Sequence, residues 1–263
     1  MARGRRGSMI TKQAWIIGDV MKSLYKIDPF HLLITSPPYN VGLDYGVYKD
    51  NLPLEEYIFN LTDLFLNLSK LLEPGGHICI NIANTGRQPY TPKKDLLVCS
   101  LLKVWDLQYR GEIIWDKQNM TSGTAWGSWK SPNCPSLRDH HEYILVFRKE
   151  GDRKGISDLT EKDFIDLTNS IWKVQPDSMN DTTHPAPYPL ELAMRLIKLY
   201  SFVGETVFDP FLGTGTTLRA CRLLNRNGAG FEINPGYERI IAHKSLGNIP
   251  SLEMWDDGEG QAR

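Results

Sequence analysis

Seven short apolar runs of four to six residues, at 14–18, 31–35, 77–82, 110–115, 143–147, 206–209 and 229–233, punctuate the chain. Several are bounded by Gly, Pro or Asp, and their length fits strands buried on both faces. Residues 54–72 place Tyr57, Ile58, Leu61, Leu64, Phe65, Leu68, Leu71 and Leu72 on a stripe of 3.6-residue period that stops at Pro74-Gly75-Gly76. Residues 189–200 open with a proline at a first-turn position and set Leu192, Ala193, Leu196 and Ile197 on one face. A further helical pattern covers 218–224. Strands interleaved with helices predict an α/β fold, a mainly parallel sheet of seven strands with helices on both faces. Residues 151–180 are more polar, with weak periodicity over 151–162, and read as a surface insertion or a small recognition element.

Composition narrows the class. With 263 residues and 41% hydrophobic content, the chain suits one large globular domain, expected over 9–250, with 251–263 as a tail. The basic opening, residues 1–8, precedes Met9, which reads like a native start, so this stretch is taken as an expression remnant. No apolar stretch approaches the roughly 20 residues that cross a bilayer, so no membrane partner is expected. A net charge of -1 announces no nucleic-acid partner, although residues 87–154 hold 12 Lys/Arg against 8 Asp/Glu. From charge alone, that local excess reads as a solvated face and only permits a nucleic-acid partner. Four scattered cysteines without a CxxC or a His cluster point to a reducing compartment and to no metal site. Cys79 and Cys221 lie in apolar runs and are expected to be buried.

Two segments carry chemistry. The run Asp209-Pro210-Phe211-Leu212-Gly213-Thr214-Gly215-Thr216-Thr217 follows a strand and opens a helix. Glycines there let backbone N–H groups approach a ligand where a Cβ would collide. Glu232 ends the next strand 23 residues after Asp209, a spacing that suits a carboxylate on two ribose hydroxyls. The run has neither the GxGxxG of dinucleotide sites nor a phosphate-cradling Gly-Lys-Ser/Thr, which favours a nucleoside-type cofactor; Asp209 as a helix cap is the plain alternative. Ser36-Pro37-Pro38-Tyr39 closes another strand. Its prolines lock φ and lack N–H groups, leaving a stiff row of acceptors followed by a ring. Such a turn can hold the amino group of a flipped base while Tyr39 stacks on it, or it can be only a turn.

Together these motifs resemble the amino-methyltransferases that act on DNA, in their circularly permuted β group, because the Ser-Pro-Pro-Tyr motif precedes the cofactor motif. The resemblance runs from Gly18 to about Arg239. It takes in Gly18-Asp19, Leu72-Glu73-Pro74-Gly75-Gly76, Ile113-Ile114-Trp115-Asp116-Lys117, Gly127-Ser128-Trp129, Leu137-Arg138-Asp139-His140-His141-Glu142-Tyr143 and His184-Pro185-Ala186-Pro187-Tyr188-Pro189. Serine at the first motif position is similar to the N4-cytosine members; Asp-Pro-Pro-Tyr is more usual for N6-adenine.

The resemblance implies S-adenosylmethionine as cofactor, with methionine near Asp209, Pro210, Phe211 and the Gly213–Thr217 turn (Gly213, Thr214, Gly215, Thr216, Thr217), and with Glu232 on the ribose. Asp19 would meet the adenine, and His184, Pro185 and Ala186 would close over the methionine; as plain alternatives, Asp19 is a loop cap and His184 a surface side chain. Ser36 and the Pro37 carbonyl would accept from the target amine, with Pro38 stiffening the turn. Double-stranded DNA is the implied partner, met by recognition elements near 117–140 and 148–180. Lys117, Trp126, Trp129, Lys130 and Arg138 are candidate DNA contacts, with core packing an equal reading for the tryptophans. The segment 41–51 is expected to be a mobile loop that orders over the base. A cognate restriction endonuclease, a homodimer and a prokaryotic cytoplasmic location follow by analogy with the family. Cys134 reads as a loop residue, not the nucleophile that C5 methylation needs. Adenine N6, an RNA or protein amide substrate, and a non-enzymatic DNA-binding or cofactor-sensing module stand as alternatives.

Overall fold

The computed structural model describes residues 11–48, 50–84, 90–103, 106–118, 127–135, 137, 139–176 and 189–247. The elements in chain order are β1 (Gln13–Ile17), β2 (Phe30–Thr35), α1 (Leu54–Leu71), β3 (Leu72–Ile82), α2 (Lys93–Leu101), β4 (Leu107–Asp116), β5 (His141–Lys149), α3 (Glu161–Leu167), β6 (Ile171–Lys173), α4 (Leu190–Tyr200), β7 (Thr206–Asp209), α5 (Thr216–Leu223), β8 (Asn227–Glu232) and α6 (Glu238–Leu246). The strands form one sheet in the order β1-β8-β7-β2-β3-β5-β4-β6. Pairing is parallel except where β5 runs antiparallel to β3 and to β4.

The sheet therefore has eight strands among the described residues, not the expected seven. The eighth, β6, pairs Ile171, Trp172 and Lys173 with Ile114, Trp115 and Asp116 of β4. Three residues are too few to show an alternation in sequence, and the residues before β6 are polar, so the strand owes its existence to tertiary pairing. The described part of the polar stretch, residues 151–176, is correspondingly more than surface. Leu167, Trp172 and Val174 are buried against β4 and β5, and Trp115 Nε1 donates to the Val174 carbonyl at 2.8 Å.

Helices cover both faces. The buried stripe of α1, built on Tyr57, Leu61, Leu64, Phe65 and Leu68, packs with α2 over Phe30, Leu33, Ile78, Ile80, Leu145 and Phe147. On the other face α3, α4 and α5 bring Leu167, Leu192, Leu196 and Cys221 against Leu32, Ile34, Cys79, Ile144 and Val146. Each fully buried aliphatic or aromatic side chain contributes roughly 1.5–3 kcal/mol, so these two layers hold the central strands rigidly. Cys79 and Cys221 are buried, as their apolar context implies, whereas Cys99 and Cys134 are exposed. No helix among the described residues is long and apolar enough to cross a membrane.

Candidate active site

The central strands deliver their motifs to one edge of the sheet. β2 ends at Thr35 and leads into Ser36–Tyr39, β7 ends at Asp209, and β8 ends at Glu232. β5 runs the other way, so its beginning, with Glu142, reaches the same edge. The crossovers diverge here, from β2 through α1 to β3 on one side and from β7 through α5 to β8 on the other. Such a switch point leaves a crevice beyond the carboxyl ends of the strands. A cavity of about 760 Å³ occupies it, lined by the Ser36–Tyr39 turn, the loop after Asp209, Glu232, Asp19, Asn81 and Glu142, among others. The two motifs thus meet in one pocket although Ser36 and Asp209 stand 173 positions apart in the sequence.

At one end of the cavity the glycine turn opens α5. Gly213 and Gly215 take φ of 53° and 81°, and a Cβ at Gly215 would lie 3.1 Å from Ile241 Cα. Gly230 lets β8 close on β7, since a Cβ there would meet the Asp209 carbonyl oxygen at 2.3 Å. Glu232 Oε2 accepts from Gly213 N at 2.8 Å and Oε1 from Asn234 N at 2.8 Å. One donor per oxygen leaves lone pairs for two hydroxyls. Burial raises the Glu232 carboxyl above the usual range, opposed by these N–H groups. This carboxylate beside a glycine turn fits a ribose-bearing cofactor.

Asp209 is arranged differently. It is 4% exposed and accepts from Thr35 Oγ1 (2.7 Å), Thr217 Oγ1 (2.6 Å) and Phe211 N (3.0 Å). Burial pushes its carboxyl up, and these donors pull it back. Asp209 braces the two motifs together. Asp19 accepts from Met21 N at 3.0 Å as the cap of a short 3-10 turn and also lines the cavity, so the cap reading and the site reading coexist.

At the other end the Ser36–Asn40 turn is held by its own carbonyls. Tyr57 Oη donates to the Pro38 carbonyl at 2.8 Å. Lys93 Nζ donates to the carbonyls of Tyr39 and Asn40. The Ser36 and Pro37 carbonyls have no such partner among the described residues, which leaves them for a ligand. Ser36 Oγ lies 3.0 Å from Tyr39 Oη, which donates to Glu142 Oε2 at 2.7 Å. Asn81 Nδ2 donates to Tyr39 Oη (2.6 Å) and to Glu142 Oε2 (2.7 Å). Burial and the Glu142 carboxylate raise the Tyr39 phenol well above its ordinary value. Lys117 completes the group by pairing with Glu142, which commits its charge inside the cavity wall.

The loop that follows is tied to the turn by Asp50. Asp50 is 3% exposed and accepts from the N–H groups of Asn40, Val41 and Leu43 at 2.7, 3.0 and 3.0 Å. Asn234, next to the Glu232 end, donates to the Tyr45 carbonyl at 3.2 Å. Leu43, Tyr45 and Tyr48 are thereby set against the cavity. Of the remaining candidates, Trp129 is 71% exposed, not packed in the core, and Lys130 Nζ lies 5.8 Å from its ring centroid. Trp126, Arg138, His184, Pro185 and Ala186 lie outside the described residues, as do 1–8 and 251–263.

Comparison with known proteins bears on this geometry. A family model for N6 and N4 methyltransferases, described as DNA methylase, matches residues 30–243. The chain belongs to this DNA methylase family. The methylase is 30% identical over 282 residues to the type II methyltransferase M.MjaI of Methanocaldococcus jannaschii, covering 89% of this chain and 91% of that one. It is 36% identical over 154 residues to M.MjaVI of the same organism, covering 57% and 79%. Among solved structures, the DNA modification methylase TTHA0409 of Thermus thermophilus, complexed with S-adenosyl-L-methionine, superposes with a TM-score of 0.69 at 27% identity, over 91% of this chain and 96% of that one. The cytosine-N4-specific PvuII DNA methyltransferase shares the fold, with a TM-score of 0.69 at 21% identity over 92% and 89%.

Four residues that the structure places at the site escaped the sequence reading of roles: Asn81, Lys93, Asp50 and Glu142. Asn81 carried a signal, as a polar group between Ile80 and Ile82, and Glu142 a weaker one, as an acid at the start of an apolar run. Lys93 and Asp50 carried none.

Proposed function

We propose that this methylase transfers a methyl group from S-adenosylmethionine to N4 of a cytosine extruded from duplex DNA. The observation that carries the reading is the pairing, in one cavity, of the free Ser36 and Pro37 acceptors with the Glu232 and glycine-turn cradle. The cofactor, when bound, supplies an electrophilic methyl group whose carbon–sulfur bond breaks with its electron pair left on sulfur. Glu232 would hold the ribose hydroxyls, the Gly213–Thr217 turn would present backbone N–H groups, and Asp19 would lie near the adenine.

The chain's own residues do the rest by positioning. A stacked, paired base hides its amino group, so the base must leave the helix at a cost of a few kcal/mol. The Tyr39 ring offers a replacement stack worth roughly 1–3 kcal/mol. Ser36 Oγ and the Pro37 carbonyl accept from the amino group, which favours a tetrahedral nitrogen with a localised lone pair. Tyr57 and Lys93 already occupy the next three carbonyls, so a base amine finds its acceptors at Pro37 and Ser36. The neutral serine at the first position supports cytosine over adenine by likeness to the N4 members, and the order of the motifs supports the permuted β group. Trp129 and Lys130, exposed on the turn bridged by Gly127 and Pro135, suit a phosphate contact or the vacated stack.

Mass spectrometry of nucleosides from DNA methylated by the protein tests this directly. N4-methylcytosine is expected; N6-methyladenine replaces the cytosine assignment, and no methylated base overturns the reading. Ser36→Ala and Tyr39→Ala should lose most activity, and Cys134→Ser, whose thiol is exposed, should retain it.

A further inference from the structure

The hydrogen bonds around Tyr39 have a fixed direction. Glu142 Oε2 and Tyr39 Oη are 2.7 Å apart, and a carboxylate can only accept, so the phenol proton lies between them. Asn81 Nδ2 donates to both oxygens; its carbonyl oxygen in that place would face a carboxylate. With the phenol proton committed to Glu142, the 3.0 Å contact between Ser36 Oγ and Tyr39 Oη must be a donation by the serine. Ser36 Oγ, which Asn81 Nδ2 also approaches at 3.4 Å, is then left with lone pairs alone for anything entering the cavity.

From this geometry we infer that Ser36, Tyr39 and Glu142 form a one-way proton wire, in which Glu142 takes the proton that the target amino group releases. The inference rests on the amino-methylation reading above and adds to it the fate of the proton. Once the nitrogen has gained its methyl group, it carries one proton more than the neutral product. That proton passes to Ser36 Oγ, the serine proton to Tyr39 Oη, and the phenol proton to Glu142 Oε2. Nitrogen, serine and tyrosine end neutral, and Glu142 ends as the neutral acid. Exchange with solvent at the cavity mouth, where Lys117 is 30% exposed, restores the carboxylate.

The surroundings of Glu142 suit this task. The titratable groups facing it are Lys117, from the end of β4, and Tyr39, from the turn after β2; Asn81 of β3 faces it as a neutral donor. Lys117 pairs with the carboxylate at the far end of the wire. Asn81 sits beside Ser36 and Tyr39 but has no ionisable proton acceptor, so the carboxylate of the neighbouring strand is the one group in the cluster that can hold a proton. Tyr39 is thereby given two separable tasks, with the ring for the base and the hydroxyl for the wire. Glu142 is a positioning residue in this scheme, acting through Tyr39 and Ser36.

Single-turnover methyl transfer by full-length protein, saturated with cofactor and duplex, tests the inference across pH. Glu142→Gln and Tyr39→Phe keep the shape of the site and cut the wire. Each should slow transfer by about 100-fold and remove the acid limb of the wild-type pH–rate profile. The double variant should be no slower than either single one, since both break one path; independent structural damage would multiply toward about 10,000-fold. Glu142→Asp, which keeps the charge, should recover part of the rate. Affinities for cofactor and duplex, titrated without turnover, should stay within about twofold of wild type. Equal rates and an unchanged acid limb in Glu142→Gln, or multiplicative losses in the double variant, overturn the wire while leaving the methylation reading intact. Wild-type protein that methylates no amino group overturns both.

Discussion

Thr35 Oγ1 donates to Asp209 Oδ1 at 2.7 Å, across 174 positions of sequence. Thr35 ends β2 one residue before Ser36, and Asp209 ends β7 at the start of the cofactor loop. This bond sets the position of the amine acceptors relative to the glycine turn. Thr35→Val keeps the volume and removes the hydroxyl, leaving a buried carboxylate short of a donor. A loss of about 1–3 kcal/mol is expected, read as a lower urea midpoint with an unchanged denaturant slope.

Glu232 should tie cofactor affinity to pH. Burial raises its carboxyl, so between the ordinary glutamate value, roughly 4.3, and the raised native value the folded protein binds more proton than the unfolded chain. Stability of the free protein from this group is full at the acid end of that window and is lost as pH rises through it. Only the ionised form offers both oxygens as acceptors, so cofactor affinity should rise with pH over the same window. Glu232→Gln should flatten that dependence. It should also weaken binding about 10- to 100-fold, as hydrogen bonds to a charged group are worth about 1.5–3 kcal/mol. Calorimetric titration at several pH values checks both effects.

His77 makes the opposite contribution to stability. Burial, followed by the nearby Arg153, Arg148 and Arg110, lowers its pKa from 6.5 to about 3. Between those values the unfolded chain takes up a proton that the folded protein refuses. Stability from this group is therefore complete above about 6.5 and is lost as pH falls toward 3. His77→Gln should lose less stability than wild type between pH 7 and pH 5, measured by urea unfolding at each.

Arg226 is wholly buried and donates to Asp158 through both terminal nitrogens at 2.7 and 2.8 Å. Removing the partner leaves the guanidinium in the core without a counter-charge, although it keeps its bonds to Ser201 and to the Leu224 carbonyl. Asp158→Ala should cost about 3 kcal/mol, toward the low end for a broken buried pair because Asp158 is 35% exposed. Thermal unfolding reads it.

The central runs were legible because strands such as β2, buried on both faces, are apolar almost throughout, and all seven expected runs are strands in the sheet. β6 was not, since Ile171, Trp172 and Lys173 show neither length nor alternation. The pairing of motifs at the site was legible through Ser36–Tyr39, the glycine turn and Glu232, whose residue types state their chemistry. What could not be read was how side chains share their bonds. Asp209 looks in sequence like a group for the ligand; it lines the cavity and also accepts from Thr35, Thr217 and Phe211, a bracing task that no local pattern announces. Lys117, a candidate DNA contact, also pairs with Glu142, a partner that no local pattern announces. The loop 41–51 looks loose because its anchor, Asp50, is one acid among several polar residues, and nothing local shows that it collects three backbone donors.

Lys93 gives that loop a chemical signature. It is 2% exposed, and burial lowers its pKa despite the nearby Asp50 carboxylate. Its ammonium lies under the Tyr39 and Asn40 carbonyls that lead into the loop. An amine-directed acylating reagent will label the outer lysines and pass this one by. Acylation of Lys93 therefore requires the turn to lift, and the pace at which that single tag accumulates is a clock for entry into the pocket.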